Sequence, residues 1–317
     1  MGIKTIDYDL LSQRVGEEHL RRRLTRQVDI AAKFYAKGGY ASFHIENVDW
    51  LHRALEALLK LAGLYHQGQK NAIDYKVEHR IVHLANLPRS FEGYRLLQLS
   101  DIHADGIPDG GAKLRAILSG LDADLCVITG DYRFDTKDVH QTAIDRTRSL
   151  LNALPREMKI YGILGNHDFI EFVPLLEASG IIMLLNEPAR IDRNGSEIWL
   201  TGIDDAHIYA CHDIPKALTG IPERATTIML SHTPETYAEA ADNGIDYLLC
   251  GHTHGGQICL PGGFPVITNA KCPRDFCTGA WQYLNMQGYT SRCTGSSGLP
   301  VRFFCPPEIT IHEFYRA

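Results

Sequence analysis

Leu96-Leu97-Gln98-Leu99-Ser100-Asp101-Ile102-His103 decides how the rest of the chain reads: a short apolar run that stops at a carboxylate and an imidazole. Runs of this length, bounded by Gly and polar residues, have the pattern of buried strands. The arrangement recurs four times downstream. Leu125-Cys126-Val127-Ile128-Thr129 leads into Gly130-Asp131, and the run 160–164 into Gly165-Asn166-His167-Asp168. The run 227–230 leads into Ser231-His232, and 246–250 into Gly251-His252-Thr253-His254. The polar residues therefore fall at carboxyl-terminal strand ends, where open α/β sheets build their sites. A lone Asp-x-His is usually a surface loop, and a lone His-Thr-His is often polar strand-end packing. Five such pieces in register make a site.

The residue types point to one chemistry. Two divalent cations about 3.5–4 Å apart can clamp the attacking and leaving oxygens of a displacement at phosphorus. Holding them takes a carboxylate that can bridge, with neutral imidazole and amide ligands that leave a positive surplus for the phosphate. Asp131 is the natural bridge. Asp101, His103 and one histidine of the 252–254 motif complete one site; Asn166, His232 and the other histidine complete the second. That surplus also lowers the pKa of bound water, which becomes the nucleophile.

The ordered set Asp101-x-His103, Gly130-Asp131, Gly165-Asn166-His167-Asp168, His232 and Gly251-His252-Thr253-His254 resembles the calcineurin-like metallophosphoesterase superfamily over roughly residues 90–315. The resemblance implies Asp101, His103, Asp131 and His254 on one metal, with Asp131, Asn166, His232 and His252 on the other. It also implies that His167 binds no metal and instead faces the substrate, protonating the leaving oxygen or stabilising the transition state, with Asp168 orienting it. Two metal ions (Mn, Fe, Zn, Co or Ni) all suit a site of N and O ligands.

Further pieces resemble a bacterial phosphodiesterase branch that includes enzymes cleaving UDP-diacylglucosamine at its pyrophosphate. These are residues 87–101, the extension Gly255-Gly256-Gln257, Ser297-Gly298-Leu299-Pro300 and Cys305-Pro306-Pro307-Glu308. The chain departs from protein serine/threonine phosphatases: Tyr132-Arg133-Phe134-Asp135 follows the bridge, and Asp168 stands where those enzymes carry glutamate. The activity expected is a metal-dependent hydrolase of a phosphodiester or pyrophosphate bond acting through metal-bound hydroxide. A phosphomonoesterase on a small metabolite is the runner-up, and a noncatalytic scaffold is the reading from another class.

Composition agrees with a soluble enzyme. The 317 residues carry a formal net charge of −6, from 32 basic and 38 acidic side chains, with no long basic run to suggest nucleic-acid binding. No apolar stretch reaches the roughly 18–20 residues of a membrane span, and residues 1–30 lack the apolar segment of a signal peptide. These features point to a cytoplasmic location, with peripheral membrane contact and homo-oligomerisation left open. Of the eight cysteines none forms a C-x-x-C pair, so unpaired thiols are expected. The Cys272/Cys277 pair could instead bind a further metal or oxidise.

The domain reading is a helical amino-terminal extension, 1–90, and a phosphoesterase domain, 91–317, built as a four-layer α/β/β/α sandwich of two mixed sheets. Trp50, Leu51, Ala54, Leu55, Leu58, Leu59 and Ala62 recur at helical spacing. The helix they predict either packs on the catalytic domain or another subunit, or serves as a substrate lid or membrane-touching element. Asn194-Gly195 between 190–193 and 198–201 is a hairpin signal. Residues 259–300 read as long loops, and 309–314 as a terminal strand. Asp135, His140, Asp204, Asp205 and His207 are ambiguous. Arg274, Arg292 and Arg302 read as solvent-facing, and Arg133 stands between solvent and a phosphate.

Overall fold

The apolar runs become strands, and the motifs hang from their ends. A computed structural model describes residues 6–36, 49–134 and 141–317. Its helices are α1 (Tyr8–Val15), α2 (Glu17–Ala36), α3 (Asp49–Leu61), α4 (Tyr65–Asn71), α5 (Ala112–Leu118), α6 (Gln141–Leu151), α7 (Val173–Glu177), α8 (Ile214–Ala217) and α9 (Tyr237–Asp242). The strands are β1 (Lys76–Leu84), β2 (Tyr94–Leu99), β3 (Leu125–Ile128), β4 (Lys159–Gly162), β5 (Ile181–Met183), β6 (Glu187–Arg193) and β7 (Ser196–Gly202). They continue with β8 (Thr227–Leu230), β9 (Tyr247–Cys250), β10 (Cys259–Leu260), β11 (Phe264–Pro265), β12 (Gly279–Tyr283), β13 (Met286–Thr290) and β14 (Glu308–Arg316).

One sheet has the order β1-β14-β2-β3-β4-β5 and the other β12-β13-β9-β8-β7-β6. In the first, only the β14–β2 pairing is antiparallel. In the second, the antiparallel partners β6 and β12 flank a parallel centre. Both sheets are mixed. Successive side chains of a strand point to opposite faces, which explains why the central runs are apolar throughout. Leu96, Val127 and Tyr161 meet Leu200, Ile228 and Leu249 between the sheets. Leu97, Cys126 and Ile160 pack outward on Leu114, Ile144 and Leu150 of α5 and α6. On the far side Met229 and Leu248 meet Ile214, Ala217 and Ala240 of α8 and α9. The expected α/β/β/α layering follows.

The hairpin is where the sequence put it. Arg193 pairs with Ser196, and Asn194 and Gly195 both take positive φ (51° and 79°), as a type I′ turn requires. Residues 259–300 differ from the reading. They contain the small β10–β11 pair and the β12–β13 hairpin, which extends the second sheet along β9. Gly, Gln and Thr hide the strand pattern there, and Trp281 supplies the packing. It stacks on Phe276 at 4.5 Å and occupies the space a Cβ at Gly288 would need.

The stretch read as a helical extension also carries β1, which pairs in parallel with β14 from Lys76↔Glu308 to Leu84↔Arg316. Its charged, histidine-rich sequence and its place at the sheet edge leave little alternation to read. Ahead of it, Leu11, Val15 and Leu20 of α1 and α2 join the core on the outer face of the first sheet. The helix expected around Trp50–Ala62 is α3. Gly63 (φ 71°) and a Leu64 N–H to Leu59 carbonyl bond of 2.8 Å close it. Leu59 packs with Leu299 and Val301, while Leu58 and Leu61 remain exposed. The side chains of Trp50 and Leu51 lie outside the described residues. Among those residues no helix is long and apolar enough to cross a membrane.

Candidate metal centre

The loops after β2, β3, β4, β8 and β9 bring the motif side chains to one buried spot. Ligand-capable atoms of Asp101, His103 and His254 lie within 4.8 Å of one another. The same holds for Asp101, Asp131 and His232, and for His103, Asp131 and His167. Asn166 Oδ1 sits 2.8 Å from His232 Nε2. The His252 ring lies 5.1 Å from that of His232 and turns Nε2 toward the Asn269 carbonyl at 3.2 Å. All seven residues read as metal ligands thus converge, and His167 stands among them.

The hydrogen bonding around the cluster asks for a cation. His103 Nδ1 is 2.6 Å from the Arg133 carbonyl and His232 Nδ1 is 2.8 Å from the Thr129 carbonyl. A carbonyl only accepts, so each Nδ1 carries a hydrogen and each Nε2 turns its lone pair inward when the ring is neutral. His103 Nε2 and Asp101 Oδ1 are buried with no hydrogen-bond partner. His232 Nε2 faces two acceptors, Asn166 Oδ1 and, at 3.4 Å, Asp131 Oδ2. An unsatisfied buried polar atom costs about 1–3 kcal/mol, and more when charged. Bare acceptors facing one another fit a divalent cation, and imidazole, carboxylate and amide form a suitable donor set.

The titration shifts show that the carboxylates favour positive charge here, which on His232 a ring proton supplies. Burial opposes charge on His232, but the carboxylates of Asp131 and Asp101 outweigh it and hold its pKa well above the ordinary value. Burial, reinforced by His167, pushes His103 down to about 3. Burial and the neighbouring His207 and His232 likewise hold His252 low. Asp101 and Asp131 stay below the usual carboxylate range despite burial, because His232 and its neighbours offset it.

Backbone conformation marks the same positions. Asp101, His103, Asp131, His252 and His254 all adopt φ between 43° and 68°, a region costly for residues with a Cβ and concentrated at functional sites. Two glycines let the loops close on one another. A Cβ at Gly165 would collide with the Asp131 carboxylate, and one at Gly251 with Ser100 Oγ and Asp101 Oδ2.

Asp168 takes a different job from the one expected. Its carboxylate accepts from the backbone N–H groups of Asp131 (2.8 Å), Tyr132 (3.0 Å) and Gly165 (2.9 Å). It therefore ties the loop after β3 to the loop after β4. Burial and the charge of Asp131 raise its pKa to about 6. Its oxygens are spent on amides, and His167 Nδ1 is buried with no hydrogen-bond partner. His167 is instead placed through its backbone: its N–H donates to Asp131 Oδ1 at 2.8 Å, and its carbonyl accepts from Arg133 Nε.

Arg133 lies over the Phe169 and Phe172 rings, so it braces this loop from inside. A second guanidinium grips the next carbonyl. Arg23 of α2, fully buried, donates from Nη2 to the Asp168 carbonyl at 2.9 Å and lies 3.5 Å over the Tyr209 ring. Gln27, one turn on, accepts from the Ile170 N–H at 2.9 Å. Sequence reading missed both, because the Arg21-Arg22-Arg23 run looks like a solvated face.

Asp204 pairs with His19 (3.0 Å) and Arg23 (3.5 Å), and Asp205 accepts from the 207, 208 and 209 amides. His207 packs its ring 4.3 Å from His252 and contacts Glu235 at 3.1 Å. Asp135 and His140 lie outside the described residues. Arg274 is exposed, as read, whereas the other two arginines read as solvent-facing are otherwise employed. Arg302 is fully buried against the His254 ring and the Gly295 carbonyl, and Arg292 bonds Glu308 and Glu78. Arg274 donates to the Pro265 carbonyl. Cys293 Sγ donates to Asp101 Oδ2 at 3.0 Å, and the Cys272 and Cys277 sulfurs lie 3.7 Å apart.

A family model for the calcineurin-like phosphoesterase matches residues 94–256, which span β2 through the His252–His254 motif. The chain belongs to that family. It is 32% identical over 71% of its length to the uncharacterized metallophosphoesterase YkuE of Bacillus subtilis (strain 168), covering 80% of that protein. It is 27% identical over 81% of its length to YkoQ of the same organism, covering 97% of it. It is 25% identical over 69% of its length to the phosphodiesterase YaeI of Escherichia coli (strain K12), covering 82% of it. As a metallophosphoesterase the chain is a hydrolase of a metal-binding family. Arg23 and Gln27 lie upstream of the matched segment.

Proposed function

We propose that the chain is a dinuclear metal-dependent phosphodiesterase. Asp101, His103, Asp131 and His254 would hold one divalent ion, and Asp131, Asn166, His232 and His252 the other. The observation that carries this is His103 Nε2, buried with no hydrogen-bond partner, together with Asp101 Oδ1 held only at 3.3 Å from His254 Nε2 and the acceptors crowded on His232 Nε2. When bound, such ions stabilise charge on phosphoryl oxygens and lower the pKa of water.

The chain's own residues supply the rest. His167, buried beside Asp131 (Nε2 to Oδ2, 3.9 Å), would deliver a proton to the leaving oxygen. Arg133 and Arg23 fix the loop that carries it, and Asp168 locks that loop to the one bearing the bridge. Similarity to YaeI favours a diester over a monoester.

Metal analysis of the purified protein, with turnover of bis-p-nitrophenyl phosphate against p-nitrophenyl phosphate, tests the proposal. Two ions per chain and a preference for the diester are expected. A metal-free protein that stays inert after reconstitution with Mn, Zn or Fe would overturn it.

A further inference from the structure

The metal centre opens sideways into a cavity of about 380 Å³ whose walls are unlike the centre itself. His252 and His254 form its inner end, and Leu55 of α3, Ile258, Val266, Ile267 and Leu299 share the remainder with polar side chains that include His52, Thr268 and Asn269. The volume falls within the roughly 300–1,000 Å³ of small-molecule sites. Polar groups on the wall are largely committed elsewhere. The Gln257 side chain donates to the Ser297 and Leu299 carbonyls and accepts from the Ser297 N–H. Thr253 Oγ1 donates to the Cys277 carbonyl. The Ser297 hydroxyl has no hydrogen-bond partner.

The apolar character continues outward. Val266 and Ile267 are 58% and 43% exposed, and the neighbouring β10–β11 hairpin pairs two exposed apolar residues, Leu260 and Phe264. Exposed apolar side chains beside an apolar cavity mark a binding surface. α3 contributes Leu55 to one wall and is held by Leu59 on Leu299 and Val301. That position makes the helix part of the cavity wall.

We propose that this cavity receives the hydrocarbon portion of an amphiphilic phosphoester whose phosphate sits at the His252–His254 end. The proposal rests on the metal-centre reading above. A wall whose surface is mainly aliphatic, with the Gln257 amide engaged, has less to offer a nucleobase or a sugar than an alkyl chain. It desolvates an alkyl chain without leaving polar groups bare.

Alkyl p-nitrophenyl phosphodiesters from methyl to octyl, each below its micellar concentration, keep the leaving group constant while the chain grows. The holoenzyme should gain up to about fourfold in kcat/KM per methylene, the Boltzmann equivalent of about 0.8 kcal/mol per buried CH₂, until the cavity is filled. Binding of the matching alkylphosphonates, followed by calorimetry, should climb in parallel. Leu55→Gln and Ile267→Gln, on separate segments, should each flatten that slope by about half or more while thermal unfolding stays cooperative. If one fails to fold, the other still decides.

Turnover and phosphonate binding that are both flat with chain length overturn the cavity assignment and leave the phosphodiesterase reading standing. Chain-dependent phosphonate binding with no turnover in the fully metallated protein does the reverse. A nucleoside p-nitrophenyl phosphodiester preferred over the octyl ester would also overturn the hydrocarbon assignment.

Discussion

Replacing Arg23 with Leu should damage both stability and rate, although the residue lies far upstream of the matched family segment. Its guanidinium is fully buried and faces Asp204, itself buried, with the Tyr209 ring beneath it and the Asp168 carbonyl at 2.9 Å. Removing one member of a buried ion pair strands the other, at a cost of about 3–5 kcal/mol. His19 remains as a partner for Asp204, which favours the lower end. About 3 kcal/mol corresponds to a fall of roughly 6–12 °C in Tm for a domain of this class.

The loop of His167 and Asp168 also loses one of its two carbonyl anchors. A displacement on the order of 1 Å costs up to about 10²-fold in rate, so kcat should fall roughly tenfold to a hundredfold with both metals still bound. Thermal unfolding, metal analysis and steady-state kinetics read the three quantities separately. The double variant Arg23→Leu/Asp204→Asn should recover more than half of the lost stability, because no unpaired charge is left. A loss below about 1 kcal/mol in the single variant, or strict additivity in the double, would refute the reasoning.

The pH dependence has a definite sign. Burial works to raise the Asp204 pKa, but Arg23 and His19 outweigh it and hold it below 3.8. The contribution of this pair is therefore full above pH 3.8 and is lost as pH falls through the lower folded value. Asp204→Asn should lack that part of the acid sensitivity, as measured by unfolding between pH 5 and pH 2. Asp131→Ala should remove activity and reduce metal content to one ion or none; two ions with normal turnover would exclude it as the bridge. His167→Ala should keep both metals and lose about 10²–10⁴-fold in rate, with less loss for p-nitrophenyl than for alkyl leaving groups. An equal loss for both would show that His167 is not the proton donor. Deleting residues 1–85 removes β1 from the edge of β14 and uncovers the surface under Leu11, Val15 and Leu20. The remainder should aggregate, and a monodisperse, active truncation would contradict that.

The sequence by itself determined the five strands that carry motifs, because a strand buried on both faces is apolar without interruption. It also determined the seven candidate ligands and His167, because each motif lies next to its strand end along the chain. Asn194-Gly195 fixed the hairpin through its positive φ angles. Tertiary structure alone decided what those local rules do not reach. Arg23 and Gln27 read as parts of a solvated helix until α2 docks on the loop of Asp168 and Ile170, residues more than 140 positions away. Asp168 reads as a partner of His167 until the chain closes and three backbone amides claim its oxygens. β1 and the β12–β13 hairpin have weak patterns of their own and gain their hydrogen bonds from β14 and β9. The apolar cavity is assembled from α3 and segments some two hundred residues later. Short-range alternation and spacing are written in neighbouring residues, whereas desolvation, charge pairing and cavity shape depend on which distant side chains arrive together.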